Sequence, residues 1–171
     1  MQPPRRRRRS REPESGRARA AVRIDAAVAR ADGPRVGLLL AGHRPNAIVA
    51  TWLAAARFGR PDRCGPGGVY VSASLKEEFG IAILEAMASG LVVVAPWEGG
   101  PATYVEDGVT GVLADTRSPA ALAAAVAAAF DLAAAPGAKR RAAGAQRLVR
   151  ERFSVHTMAA ALAAIYQDVA P

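Results

Sequence analysis

A single cysteine, Cys64, excludes a disulfide within the chain. Two separated histidines, His43 and His156, offer no metal-ligand cluster. Aromatic residues make up only 5% of the chain, and alanine dominates the apolar residues from Ala120 onward, so the helices there are expected to be thin. Long hydrophobic runs are missing too. Runs such as residues 36–41 and 91–96 fall far short of the roughly 20 residues that cross a bilayer. No apolar stretch follows the early arginines, as a secretory signal would require. The body is therefore expected to be soluble and cytoplasmic, with no transmembrane segment.

Acidic residues are scarce at one end only. Residues 1–30 hold ten arginines against Glu12, Glu14 and Asp25, a net +7 of the whole chain's +8, which leaves +1 for the other 141 residues. The basic character belongs to an arm, residues 1–16, which mixes five consecutive arginines with Pro, Ser and Glu. So little apolar surface cannot offset the entropy of ordering, and the arm is expected to be disordered. It would bind polyanions in a salt-sensitive way. It carries no interleaved aromatics on which bases could stack, so a solvated tail is preferred over a nucleic-acid site. The domain proper is expected over residues 17–171, a length that allows one domain of ordinary size but not two Rossmann-like ones.

Within the body, short apolar runs alternate with helical patterns. Residues 36–42 and 91–95 read as strands buried on both faces, and 69–74 as another strand. Residues 47–58 favour a helix. From Ile81 the apolar residues Ile81, Leu84 and Ala88 recur at helical spacing until Ser89-Gly90 caps the turn. Residues 69–95 thus form a strand–helix–strand unit. A short helix begins at the Glu98-Gly99-Gly100-Pro101 turn, a strand covers 108–114, and Ser118-Pro119 opens an alanine-rich helix to about Ala134. Helices over 138–152 and 156–168 follow the Pro136-Gly137 break. The expected fold is α/β: a Rossmann-like parallel sheet with flanking helices and an Ala-rich helical C-terminal tail.

In such a sheet ligands bind beyond the carboxyl ends of the strands. The loop Leu75-Lys76-Glu77-Glu78-Phe79-Gly80 lies there and runs into the helix at Ile81. N–H groups at Gly80, Ile81 and Ala82 would form an anion site suited to a diphosphate, and Gly80 lets backbone approach a ligand. Glu85 is expected on the edge of the core-facing stripe, half-buried and in need of a partner. Two readings of these acids stay open on physical grounds. Glu77 and Glu78 can complement the helix dipole while Glu85 pairs with an arginine, or Glu85 can accept from the hydroxyls of a ribose.

The segment from Ser72 to Ala95 resembles the E-x7-E segment of glycosyltransferase family 4, with Glu77 and Glu85 as the two acids. Glu98-Gly99-Gly100-Pro101, the stretch Glu106 to Leu113, and Arg152-Phe153-Ser154 with Ala164-Ile165-Tyr166 resemble further family signatures in the right order. The resemblance covers Val71 to Tyr166. It implies the C-terminal, donor-binding half of a GT-B retaining glycosyltransferase of hexosyltransferase type. Its substrate would be a nucleotide-sugar, with no metal and no other cofactor. By motif, Glu77 is the catalytic-site acid contacting the donor sugar's hydroxyls, Glu85 holds the ribose, and Glu78 and the backbone at Phe79, Gly80 and Ile81 complete the donor site.

The family's diphosphate-binding Arg and Lys have only a partial echo here, Gly16-Arg17 and Val22-Arg23, with Val22 where Lys is expected. Arg17 and Arg23 are the candidate diphosphate contacts. One strand–helix element is missing near residues 62–68, and Thr103 stands where the family commonly has Glu. The N-terminal GT-B domain, which provides the acceptor side, is not recognisable, so a separate chain carrying it is the implied partner. The alternatives are a catalytically inactive truncated remnant and a polyanion-binding protein acting through the arm.

Overall fold

A computed structural model describes residues 41–61 and 63–169. The 1–16 arm, Arg17, Arg23 and all but the last two residues of the expected 36–42 strand lie outside the described residues. Those last two, Ala41 and Gly42, belong to no helix or strand. The described helices and strands all lie in the unit that begins at Arg44. In chain order they are α1 (Asn46–Phe58), β1 (Val69–Val71), α2 (Ile81–Ala88), β2 (Val92–Pro96), a 3-10 turn (Gly100–Thr103), β3 (Gly111–Ala114), α3 (Pro119–Ala134), α4 (Ala138–Phe153) and α5 (Val155–Val169).

The three strands form one parallel sheet in the order β1-β2-β3. Tyr70 sits opposite Val93, and Val93 opposite Gly111, so the central strand is paired on both edges. Because side chains alternate along a strand, β2 feeds two cores. Val93 and Ala95 join Ile83, Leu84, Ala86 and Met87 of α2, with Tyr104, Val105 and Ala145. Val94 points the other way, to Ala114 of β3 and to Ala125 and Ala129 of α3. The result is a helix–sheet–helix sandwich, the α/β Rossmann-like half expected from the sequence. Alanine at 125 and 129 has a structural reason: side chains that small let α3 lie close against the sheet, a thin helix as the alanine-rich stretch implied.

Local signals set the boundaries. Ser118 caps α3 by accepting from the Ala121 N–H at 3.2 Å, with Pro119 in the first turn. Gly137 breaks the chain with φ 82° before α4. β1 is three residues long rather than six, because after Ser72 the chain leaves the sheet to form the loop of interest. β3 starts at Gly111 rather than Gly108, since Glu106 to Thr110 form a turn closed by Val109 N–H to Glu106 O at 3.0 Å. α1 buries no residue fully and leans on the first core through Leu53 and Ala56.

The stripe on α2 is a correction. Ile81 is 65% exposed and Ala88 is exposed, while Ile83, Leu84, Ala86 and Met87 are buried. Apolar residues fill seven of the eight α2 positions, so spacing alone left the phase of the buried face undetermined. The packing against β2 decides it. Glu85 consequently lies on the exposed side rather than half-buried at the core edge.

Candidate donor site at the carboxyl ends of the strands

The loops that leave the three strands are stitched together. Gly100 N–H donates to Glu77 O at 3.0 Å, and Glu77 and Gly99 form a one-residue parallel bridge that prolongs the β1–β2 pairing. From the β3 side, the buried Thr116 hydroxyl donates to Ser74 O at 2.7 Å. Gly99 and Gly100 are required by closeness: a Cβ on either would collide with the carbonyl of Glu77 or Glu78. The Gly-Gly of the Glu98 motif therefore lets the β2 loop lie flat against the acidic loop.

The acidic loop ends at Gly80, buried, with φ 82° and ψ 54°, as the N-cap of α2. No side chain caps this helix. Its first N–H groups carry the partial positive charge of the helix start. Gly80 O accepts from Ile83 and Leu84 N–H at 3.0 and 3.1 Å, which closes the first turn. The space where a Gly80 Cβ would sit is taken by the protein itself: the Tyr104 hydroxyl would be 2.6 Å away and Ile83 Cδ1 2.9 Å. The missing side chain thus serves internal packing, not the approach of a ligand from that side.

Tyr104 is the residue that sequence reasoning missed. It follows the 3-10 turn, is 4% exposed, and donates to Phe79 O at 2.6 Å, with Gly80 O at 3.3 Å. Phe153, the last residue of α4, meets Tyr104 and Phe79 edge-on, with ring centroids 5.4 and 5.9 Å away. Burial first, then the negative charge of Glu77 and the nearby Tyr70, pushes the Tyr104 phenol up to about 12. The Tyr70 phenol on β1 is also raised, by burial and then by Glu77 and Glu85. Both acids of the motif therefore act on one spot at the end of β1. The only signal in the sequence was a tyrosine just past the Gly-Gly-Pro turn, and nothing local tied it to a loop 25 residues earlier.

The remaining candidates divide. Glu77 is half-buried in the stitched loop. Glu78 points outward and pairs with Lys76 at 2.6 Å, both about three-quarters exposed. Phe79 is 49% exposed, and Glu85 stands exposed one turn into α2, with no ion pair among the described residues. The arginine partner considered for it is not seen among them. Among the described residues no group of three His, Cys, Asp or Glu side chains could hold a metal, and no single helix is long and apolar enough to cross a membrane. Among the described residues one cleft of about 590 Å³ lies between α4 and the Glu106–Thr110 turn. Among the described residues, Leu75, Lys76, Glu78 and Phe79 of the acidic loop are exposed.

The sequence that builds this layout matches a known family model. Residues 68–146 match the model of the family "Glycosyl transferases group 1". A D-inositol 3-phosphate glycosyltransferase of Geodermatophilus obscurus is 52% identical over 58 residues, 34% of this chain and 13% of that protein. Another from Streptomyces scabiei is 38% identical over 98 residues, 57% of this chain and 21% of that protein. A sucrose synthase of Acidithiobacillus caldus is 46% identical over 56 residues, 33% of this chain and 7% of that protein. The chain thus matches about a fifth or less of the length of these curated relatives. The match over residues 68–146, which holds the acidic loop and all three strands, makes this segment similar to the group 1 glycosyl transferases.

Proposed function

We propose that this chain supplies the donor-binding half of a retaining glycosyltransferase that takes a hexosyl group from a nucleotide-sugar, without a metal ion. The observation that carries the reading is the uncapped N-terminus of α2. It lies at the carboxyl end of the sheet, with Glu77 in the loop before it and Glu85 one turn inside. Backbone N–H groups there offer a diphosphate charge-assisted hydrogen bonds that cost no reorganisation. Glu77 accepts from the donor sugar's hydroxyls and Glu85 from the ribose, which suits an exposed carboxylate with no ion pair among the described residues. Glu78, held by Lys76, borders the site without entering it. Arg17 and Arg23 remain the proposed contacts to the diphosphate.

Transfer needs an acceptor and a second wall that excludes water. In this reading an N-terminal GT-B domain outside residues 41–169 provides both. Leu75, Phe79, Ile81 and Trp97 support it: these large apolar side chains around the acidic loop are each about half or more exposed, as expected of a surface that faces another body. The chemistry then rests on orientation and charge stabilisation, with the leaving diphosphate assisting removal of the acceptor's proton. The test is calorimetric titration of the full chain with UDP- and GDP-sugars, beside Glu77→Gln and Glu85→Ala. Saturable binding by the parent that falls about tenfold or more in each variant is expected, the size of one lost charged hydrogen bond. Absence of saturable binding by the parent would overturn the proposal.

A further inference from the structure

We infer that Tyr104 is a positioning residue for the donor site, aiming the Gly80 N–H at the ligand by pinning the Phe79 carbonyl from behind. The inference rests on the donor-binding reading above and adds to it the group that shapes the cradle. The argument is one of peptide geometry. Phe79 C=O and Gly80 N–H belong to the same planar peptide, and the described peptides are all trans, so the two groups point in opposite directions. The Tyr104 hydroxyl donates to Phe79 O at 2.6 Å and lies 3.3 Å from Gly80 O. With that carbonyl drawn toward the core, the Gly80 N–H is turned away from Tyr104.

Three further features hold the arrangement. Tyr104 is buried against the first core, so its ring cannot swing out. Phe153 packs edge-on against both Tyr104 and Phe79 and closes the other side. Gly80 lacks the Cβ that would stand 2.6 Å from the hydroxyl and crowd it, and its φ of 82° lets the peptide take this orientation. An aliphatic residue at 104 could fill the volume but could not hold the carbonyl. The peptide before Gly80 would then be free to turn, and a diphosphate would have to order it on binding, at a cost in affinity.

The test is Tyr104→Phe in the full chain, which removes one oxygen and keeps the ring. Affinities for UDP-glucose and GDP-mannose are measured by calorimetry beside thermal melts, and the Gly80 amide is followed by 15N NMR during titration of the parent. The expected result is a dissociation constant raised about five- to tenfold, the worth of one hydrogen bond. The Gly80 amide should move as the parent saturates. A purely structural tyrosine would lower the melting temperature and leave affinity unchanged, and that result overturns the positioning role while the donor-binding reading stands. If the variant does not fold, the parent's titration decides: an unmoved Gly80 amide overturns the inference and a moving one supports it. If the parent binds neither sugar nucleotide, the donor-binding reading fails and the positioning role with it.

Discussion

Replacing Gly80 by alanine tests the geometry of the acidic loop where it is tightest. Two penalties add. An L-residue at φ 82° in the left-handed region costs about 1–2 kcal/mol relative to glycine. The new Cβ would also stand 2.6 Å from the Tyr104 hydroxyl and 2.9 Å from Ile83 Cδ1. The hydroxyl must retreat, leaving the Phe79 carbonyl without its donor, a loss of about 1–3 kcal/mol. Alanine returns about 0.4–1 kcal/mol by restricting the unfolded chain. The net expectation is a loss of about 2–4 kcal/mol, read as a lower midpoint in urea with an unchanged slope. The two penalties separate in a double mutant. In a Tyr104→Phe background the clash with the hydroxyl is gone, so Gly80→Ala should cost the backbone part, about 1–2 kcal/mol, and the small shift of the flexible Ile83 Cδ1 end. A loss below about 0.5 kcal/mol in the parent background, within the range of ordinary surface substitutions, would refute both the left-handed Gly80 and the tyrosine behind it.

Further outcomes follow from the same contacts. The Tyr104 phenol sits near 12 when folded and near 10 when unfolded, so folding favours the protonated form. That contribution is fully present below pH 10, shrinks as pH rises toward 12 and is gone above it; Tyr70, also raised, acts in the same direction. Thermal melts from pH 8 to 11.5 should fall more steeply in the parent than in Tyr104→Phe. Thr116→Val removes the donor to Ser74 O from a buried position and should cost about 1–3 kcal/mol by urea titration. Ser118→Ala strips the α3 cap and should cost about 1 kcal/mol, while Ser118→Asp should be close to neutral in the same assay.

Much of this architecture was legible in the sequence because it rests on local signals. Ser118-Pro119 and Pro136-Gly137 mark helix ends through backbone chemistry that any context would read the same way. The apolar run at 91–95 is a strand buried on both faces, and the structure buries Val93, Val94 and Ala95 completely. The position of Glu77 and Gly80 beyond the end of β1 followed from strand–helix–strand order alone. What stayed hidden depends on contacts distant in sequence. The face that α2 buries could not be phased, because Ile81, Ala82, Ile83 and Leu84 are equally apolar and only packing on β2 chooses among them. For the same reason Glu85 was expected half-buried and is exposed. Tyr104 was passed over because its partner, Phe79 O, is a backbone atom on another loop, which no spacing rule connects to it. Gly80 was read as making room for a ligand, whereas that room holds the tyrosine hydroxyl.

The central claim is that sugar-nucleotide binds where the acidic loop enters α2. A crystal structure of the full chain grown with a saturating nucleotide-sugar tests it most directly. The account predicts diphosphate oxygens within hydrogen-bonding distance of the N–H groups of Gly80 and Ile81, with a ribose hydroxyl on Glu85. Ligand density confined to the arginine-lined cleft between α4 and the Glu106–Thr110 turn, with the α2 N-terminus left to solvent, would contradict it.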